Sequence, residues 1–144
     1  MKILGRHLIA EYVDCAPDRL DDALYIEKAL LEAVRRSGAT IIDSVFHRYA
    51  PQGVSGVVVI AESHMSIHTW PEYNYAAVDF FTCGTAVDPY KANEYLKEML
   101  GSANAWVTEV SRGIPSDSDE IIQHKPAALK EARTVAYRIA PAEK

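Results

Sequence analysis

The stretch GVSGVVVIAESHMSIHTWPEYNYAAVDFFTCG, residues 53–84, decides the fold. Residues 56–61 form a continuous apolar run that follows a turn signal at Pro51, Gln52 and Gly53, and they read as a strand. Residues 64–70 alternate polar and apolar, residues 71–74 read as a loop, and residues 75–82 read as a further strand. Strands joined by such short connections pair antiparallel.

Hairpin geometry then orders the reactive side chains. A loop centred on Tyr73 places Ser63 across from Cys83, and a turn between Ala61 and Glu62 places Ser55 across from His68. These pairs sit at opposite ends of one strand, about 16 Å apart at ~3.3 Å per residue. Residues 63 and 68 also point to opposite sheet faces. If the strand is straight, His68 does not easily reach Ser63 in its own chain; a two-fold dimer with facing antiparallel strands would bring one pair from each copy together, given an irregular backbone near Ser63.

Outward from this core, residues 8–13 read as a strand. Pro17 opens a helix running to about residue 36, with Leu20, Leu24, Leu31 and Val34 near helical spacing. Asp18, Asp21 and Asp22 lie in its first turn and Arg35 and Arg36 in its last, an order that suits the helix dipole, and Ser37-Gly38 stops it. Residues 40–49 read as a strand. Asp88-Pro89 starts a second helix that ends near Gly101 and buries Ala92, Tyr95, Leu96 and Met99. Residues 104–110 read as the last strand, and the tail beyond Gly113 is polar and weakly patterned, loose or packed as a small helix. The order predicts a single α+β domain, residues 1–144. It is an antiparallel sheet with two main helices packed on one face (a two-layer α/β sandwich), leaving the other face for water, a ligand or a second copy.

Composition narrows the function. With 49% hydrophobic and 24% charged residues in 144, the chain is an ordinary globular domain. A net charge of −5 with no basic patch argues against duplex nucleic acid. No apolar run is long enough to span a bilayer, and Arg6 and His7 interrupt any signal-peptide core, so a soluble cytoplasmic protein with no membrane partner is expected. Cys15 and Cys83 form no framework and read as free thiols, Cys15 as a small buried hydrophobe.

Ser55, Glu62, Ser63, His64, Ser66, His68, Trp70, Glu72 and Cys83 crowd into one segment. His64 and His68 make an HxxxH, but on a β-rich run without a third obvious ligand, so no metal is expected. A cysteine hydrolase built on Cys83 and His68 lacks any local signature.

The segments 53–60, 62–73 and 76–84, with Gly5-Arg6-His7-Leu8, Gly38-Ala39-Thr40 and Phe46-His47-Arg48, resemble the short prokaryotic S-adenosylmethionine decarboxylase proenzymes over roughly residues 3–113. The resemblance implies a pyruvoyl-dependent decarboxylase that makes its own cofactor, with no pyridoxal phosphate. Ser63 attacks the Glu62 carbonyl, the resulting ester is broken by β-elimination, and a pyruvoyl group remains at position 63, leaving chains 1–62 and 63–144. His68 is implied as the proton acceptor in processing, with Ser55 assisting, and Cys83 as the proton donor in catalysis. Tyr49 and Trp70 are implied to stack on the adenine and Glu72 to hold the ribose hydroxyls. Position 49 is Phe in the family pattern, and Tyr keeps the stacking face while adding a hydroxyl. The implied reaction takes S-adenosylmethionine to its decarboxylated form, the aminopropyl donor for spermidine, through a Schiff base. The implied assembly is a homodimer of processed protomers with sites at the interface. The rival readings are a pyruvoyl-dependent decarboxylase of ornithine or arginine, and an uncleaved, non-catalytic relative.

Overall fold

The computed structural model describes residues 1–122. Six strands, β1 (Lys2–Val13), β2 (Thr40–Arg48), β3 (Val54–Ala61), β4 (Ser63–Trp70), β5 (Tyr75–Cys83) and β6 (Asn104–Ile114), form one sheet in the order β2-β3-β4-β5-β1-β6. Every neighbouring pair is antiparallel. The expected element order is present, with β1 and β6 longer than the sequence suggested. Both extensions pair with each other, Lys2 opposite Ile114 and Ile3 opposite Gly113, a long-range match that no local pattern reveals. Beyond them Ile3 makes a parallel bridge to Ile121. The expectation for the tail extends to residues 123–144, which lie outside the described residues.

The helices α1 (Pro17–Leu20), α2 (Ala23–Arg36) and α3 (Pro89–Met99) cover one face of the sheet. Against them alternate strand residues close a dry core: Leu8, Ala10 and Tyr12 from β1, Val58 and Ile60 from β3, Met65 and Ile67 from β4, and Val78 and Phe80 from β5. The opposite face carries no helix among the described residues. It exposes Val45, Val57 and Val59 beside a row of polar side chains.

The single helix expected over residues 17–36 is two. Asp22 leaves the helical conformation and caps α2, its Oδ1 accepting from the Tyr25 N–H at 3.0 Å. Asp21 accepts from the Gly53 N–H at 2.9 Å and from Arg48 at 2.7 Å, which hold its carboxyl below the usual range. Aspartates that bond backbone and neighbours in this way end a helix as readily as they start one. The break resets the phase, so the buried stripe is Ile26, Ala29, Leu30, Ala33 and Val34, while Leu24 is 59% exposed.

α3 buries Ala92 and Leu96 as expected, and also Asn93, whose Oδ1 accepts the Tyr12 hydroxyl at 2.6 Å. Three glycines mark close approaches, among them Gly113, where a Cβ would overlap the Lys2 carbonyl oxygen. A Cβ at Gly56 would lie 2.2 Å from the Phe46 ring, and one at Gly5 would lie 2.5 Å from the Thr82 carbonyl oxygen. Among the described residues no helix is long and apolar enough to cross a membrane.

Candidate active site

β4 runs through the middle of the polar face and divides it into two ends. At one end the register is as expected: Ser55 on β3 stands opposite His68, and its hydroxyl lies 2.8 Å from His68 Nδ1. Trp70 follows on the same face, stacked on Tyr75 at 5.3 Å, with His68 6.4 Å from it. Tyr75 donates to Glu11, and burial followed by that bond pushes its phenol up to about 12, so it stays neutral. Tyr49 lies just past β2 with its ring edge-on to His47 at 4.7 Å. Glu72 sits in the 3-10 turn Pro71–Tyr73. Tyr49, Ser55, His68, Trp70 and Glu72 thus line one open cleft of about 360 Å³. A second cleft, of about 400 Å³, lies between α2 and α3 on the helical side and is lined by none of these residues.

The other end differs from expectation by one residue. Ser63 stands opposite Thr82, and Cys83 stands opposite Gly5. The loop is the four residues 71–74, ended by Asn74 in the left-handed conformation, so its midpoint falls between Glu72 and Tyr73 rather than on Tyr73. Cys83 therefore falls on the polar face with Phe81 and Asp79, and Thr82 on the buried face with Phe80. Neither cysteine forms a disulfide among the described residues; Cys15 is buried and its thiol pushed up by that burial, while Cys83 is half-buried. Only Glu62 separates β3 from β4, and because Ile60 pairs with Ser63 the hairpin turns within Ala61 and Glu62. Ser63 has φ +112°, the left-handed half of backbone space that side-chain-bearing residues avoid. The irregular backbone demanded near Ser63 is thus present, on the C-terminal side of the Glu62–Ser63 bond.

Between the two ends lies a cluster that the sequence analysis did not assemble. Asp79 accepts from His7 Nε2 at 2.7 Å and His64 Nε2 at 2.9 Å through one oxygen, and from the Ser66 hydroxyl through the other. Burial pushes its carboxyl up, but these bonds outweigh burial and hold it below the usual range. Arg112, a donor only, lies 3.0 Å from His7 Nδ1, so that nitrogen accepts and the proton sits on Nε2, facing Asp79. The ligand atoms of His7, His64 and Asp79 lie within 4.8 Å of one another, but a proton on His7 Nε2 and a guanidinium behind the ring oppose a cation there. His64 and His68 have separate partners, so the HxxxH spacing does not make a shared ligand pair. The missed signal was period two: His64, Ser66 and His68 share a face with Asp79 once β4 and β5 are paired.

The family model described as S-adenosylmethionine decarboxylase matches residues 6–113. The S-adenosylmethionine decarboxylase proenzyme of Thermosipho melanesiensis is 59% identical over 113 residues, covering 78% of this chain and 87% of that one. The proenzyme of Thermotoga petrophila is 55% identical over 124 residues, covering 82% and 95%. The crystal structure of the adenosylmethionine decarboxylase from Aquifex aeolicus superimposes with a TM-score of 0.75 at 35% identity, covering 83% of this chain and 99% of that chain. By the family model over residues 6–113, the identity to these relatives and the shared fold, the chain belongs to the S-adenosylmethionine decarboxylase family.

Proposed function

We propose that the protein cuts its own backbone between Glu62 and Ser63, converts Ser63 to a pyruvoyl group, and with it decarboxylates S-adenosylmethionine. The observation that carries the reading is the position of the scissile bond. It lies where the short turn meets the first residue of β4, so a cut there leaves every β3–β4 rung from Ser55–His68 to Val59–His64 within intact strands. The new end at residue 63 is then held by β5 across Thr82 and by the His64–Asp79 bond. These features fit a reactive group at residue 63.

Ser63 Oγ attacks the Glu62 carbonyl carbon, and the C–N bond breaks to leave an ester. A base removes the Ser63 α-hydrogen, the Oγ–Cβ bond breaks, and Glu62 departs as a carboxylate. Water then displaces ammonia. Imidazole is the side-chain type suited to moving a proton at neutral pH, and the bond to Ser55 orients the His68 ring. A pyruvoyl group supplies a ketone that holds the substrate amine and takes up the electrons released with carbon dioxide. Cys83 gives the proton that replaces carbon dioxide. Trp70 and Tyr49 offer faces to an adenine and to the positive sulfonium, and Glu72 offers a carboxylate to ribose hydroxyls.

Ser63 and His68 lie about 16 Å apart on one straight strand. The site is therefore shared: the polar faces of two copies meet, and each His68 end serves the Ser63 end of the other copy. The exposed valines 45, 57 and 59 support this, because an apolar patch beside a polar site on an uncovered sheet face fits a second copy of the same surface.

Release of carbon dioxide from carboxyl-labelled substrates tests the proposal. Release from S-adenosylmethionine, with none from ornithine or arginine, is expected. Turnover of another amino acid with none of S-adenosylmethionine would contradict the substrate assignment and leave self-cleavage standing.

A further inference from the structure

The buried face holds an unassigned group beside the proposed cleavage point. Five polar side chains are buried among the described residues: Ser37, Ser66, Thr69, Thr82 and Asn93. Four are satisfied. Ser37 donates to the Val34 carbonyl, Ser66 to Asp79, and Asn93 accepts from Tyr12. Thr69 donates to the Leu20 carbonyl at 2.7 Å and accepts from the Val54 N–H at 2.8 Å. The fifth, Thr82, is 0% exposed, and its Oγ1 has no partner among the described residues. An unpaired buried hydroxyl costs the fold stability, because its desolvation is not compensated. A threonine present only for its strand preference is replaceable by valine, as at Val78 on the same face of the same strand. Thr82 is also the residue directly across from Ser63, where cross-strand Cβ atoms lie about 4.5–5.5 Å apart.

We infer that the Thr82 hydroxyl is a catalytic donor for self-cleavage, idle in the resting precursor and engaged when the Glu62 carbonyl oxygen becomes an oxyanion. This rests on the self-cleavage reading above. When Ser63 Oγ bonds to the Glu62 carbonyl carbon, the carbonyl electron pair moves onto oxygen. That charge collapses again as the C–N bond breaks and the Ser63 nitrogen takes a proton. Thr82 Oγ1–H donates to the oxygen while it is charged and keeps its own proton throughout. A fixed donor in a water-excluded site that bonds the transition state and not the ground state accelerates the step. Thr82 adds a function on the helical side of β4 and β5, opposite the face that carries His68 and Cys83.

The test is the time course of chain cleavage under denaturing mass spectrometry for the full chain and for Thr82→Val, Thr82→Ala and Thr82→Ser. Thr82→Val keeps shape and loses only the hydroxyl, so its thermal midpoint should equal or exceed that of the parent. Its cleavage should slow by about 10²–10³-fold, the effect of losing one oxyanion donor. Thr82→Ser should cleave much faster than Thr82→Ala, although both are smaller than threonine, because only serine restores the donor. Hydroxylamine, which cuts esters, should not speed Thr82→Val, since the ester never accumulates. Cleavage of folded Thr82→Val at the parental rate, equal rates for Ser and Ala, or hydroxylamine rescue would each overturn the assignment. A parent chain that stays whole would instead refute the self-cleavage reading beneath it.

Discussion

The two ends of β4 are built on different terms. The Ser55–His68 end is regular: paired strands, a hydrogen-bonded imidazole, stacked aromatic rings and a formed cleft. The Ser63 end is irregular: a two-residue turn, a serine at φ +112° and, opposite it, a buried hydroxyl without a partner among the described residues. The contrast teaches a division of labour. On the proposed reading, binding and proton transfer need a site held before the substrate arrives, whereas a bond meant to break once sits where its loss costs the fold little.

The largest effect separates the ends completely. Ser63→Ala should abolish chain cleavage, and His68→Ala should slow it by roughly 10²–10⁴-fold, both read by denaturing electrophoresis. Coexpressed, the two variants should restore cleavage of the chain that keeps Ser63, because its partner supplies His68; no restoration would place the two residues in one copy.

Cys83→Ala should cleave its chain yet lose decarboxylase turnover by roughly 10²–10⁴-fold in kcat. Cys15→Ala, in the core, should change stability more than turnover. Equal small losses in turnover at both would remove Cys83 from the chemistry. At the cleft end, Trp70→Ala should raise KM about tenfold or more, the worth of one base stacked on an aromatic ring, while chain cleavage keeps its rate. A loss confined to kcat would take Trp70 out of binding.

The smallest effect concerns the cluster between the ends. Asp79 has a folded-state pKa below its ordinary value. The stability it contributes is therefore complete above the unfolded value, about 4, and drains away as pH falls through the lower folded value. Thermal unfolding of Asp79→Asn should thus show a shallower loss than the parent below about pH 4, and a shared slope would contradict the assignment.

Much of this was legible from the chain alone. The succession of strands and helices along the chain follows from period-two alternation and turn residues, and the Ser55–His68 register follows from the short hairpin between them. What escaped depended on context. The helix break at Asp21 and Asp22 arises from side-chain bonds to Gly53, Arg48 and Tyr25. The one-residue offset that puts Thr82 opposite Ser63 arises from Asn74 completing a four-residue loop. The Asp79 cluster joins side chains from β1, β4, β5 and β6, which only the completed sheet order brings together.

The central claim is the single cut before Ser63. Denaturing mass spectrometry of the freshly purified protein, with and without borohydride, tests it most directly. Two chains covering residues 1–62 and 63–144, the second bearing a reducible carbonyl in place of its serine amino end, are the predicted result. One unbroken 144-residue species that persists on incubation would contradict it.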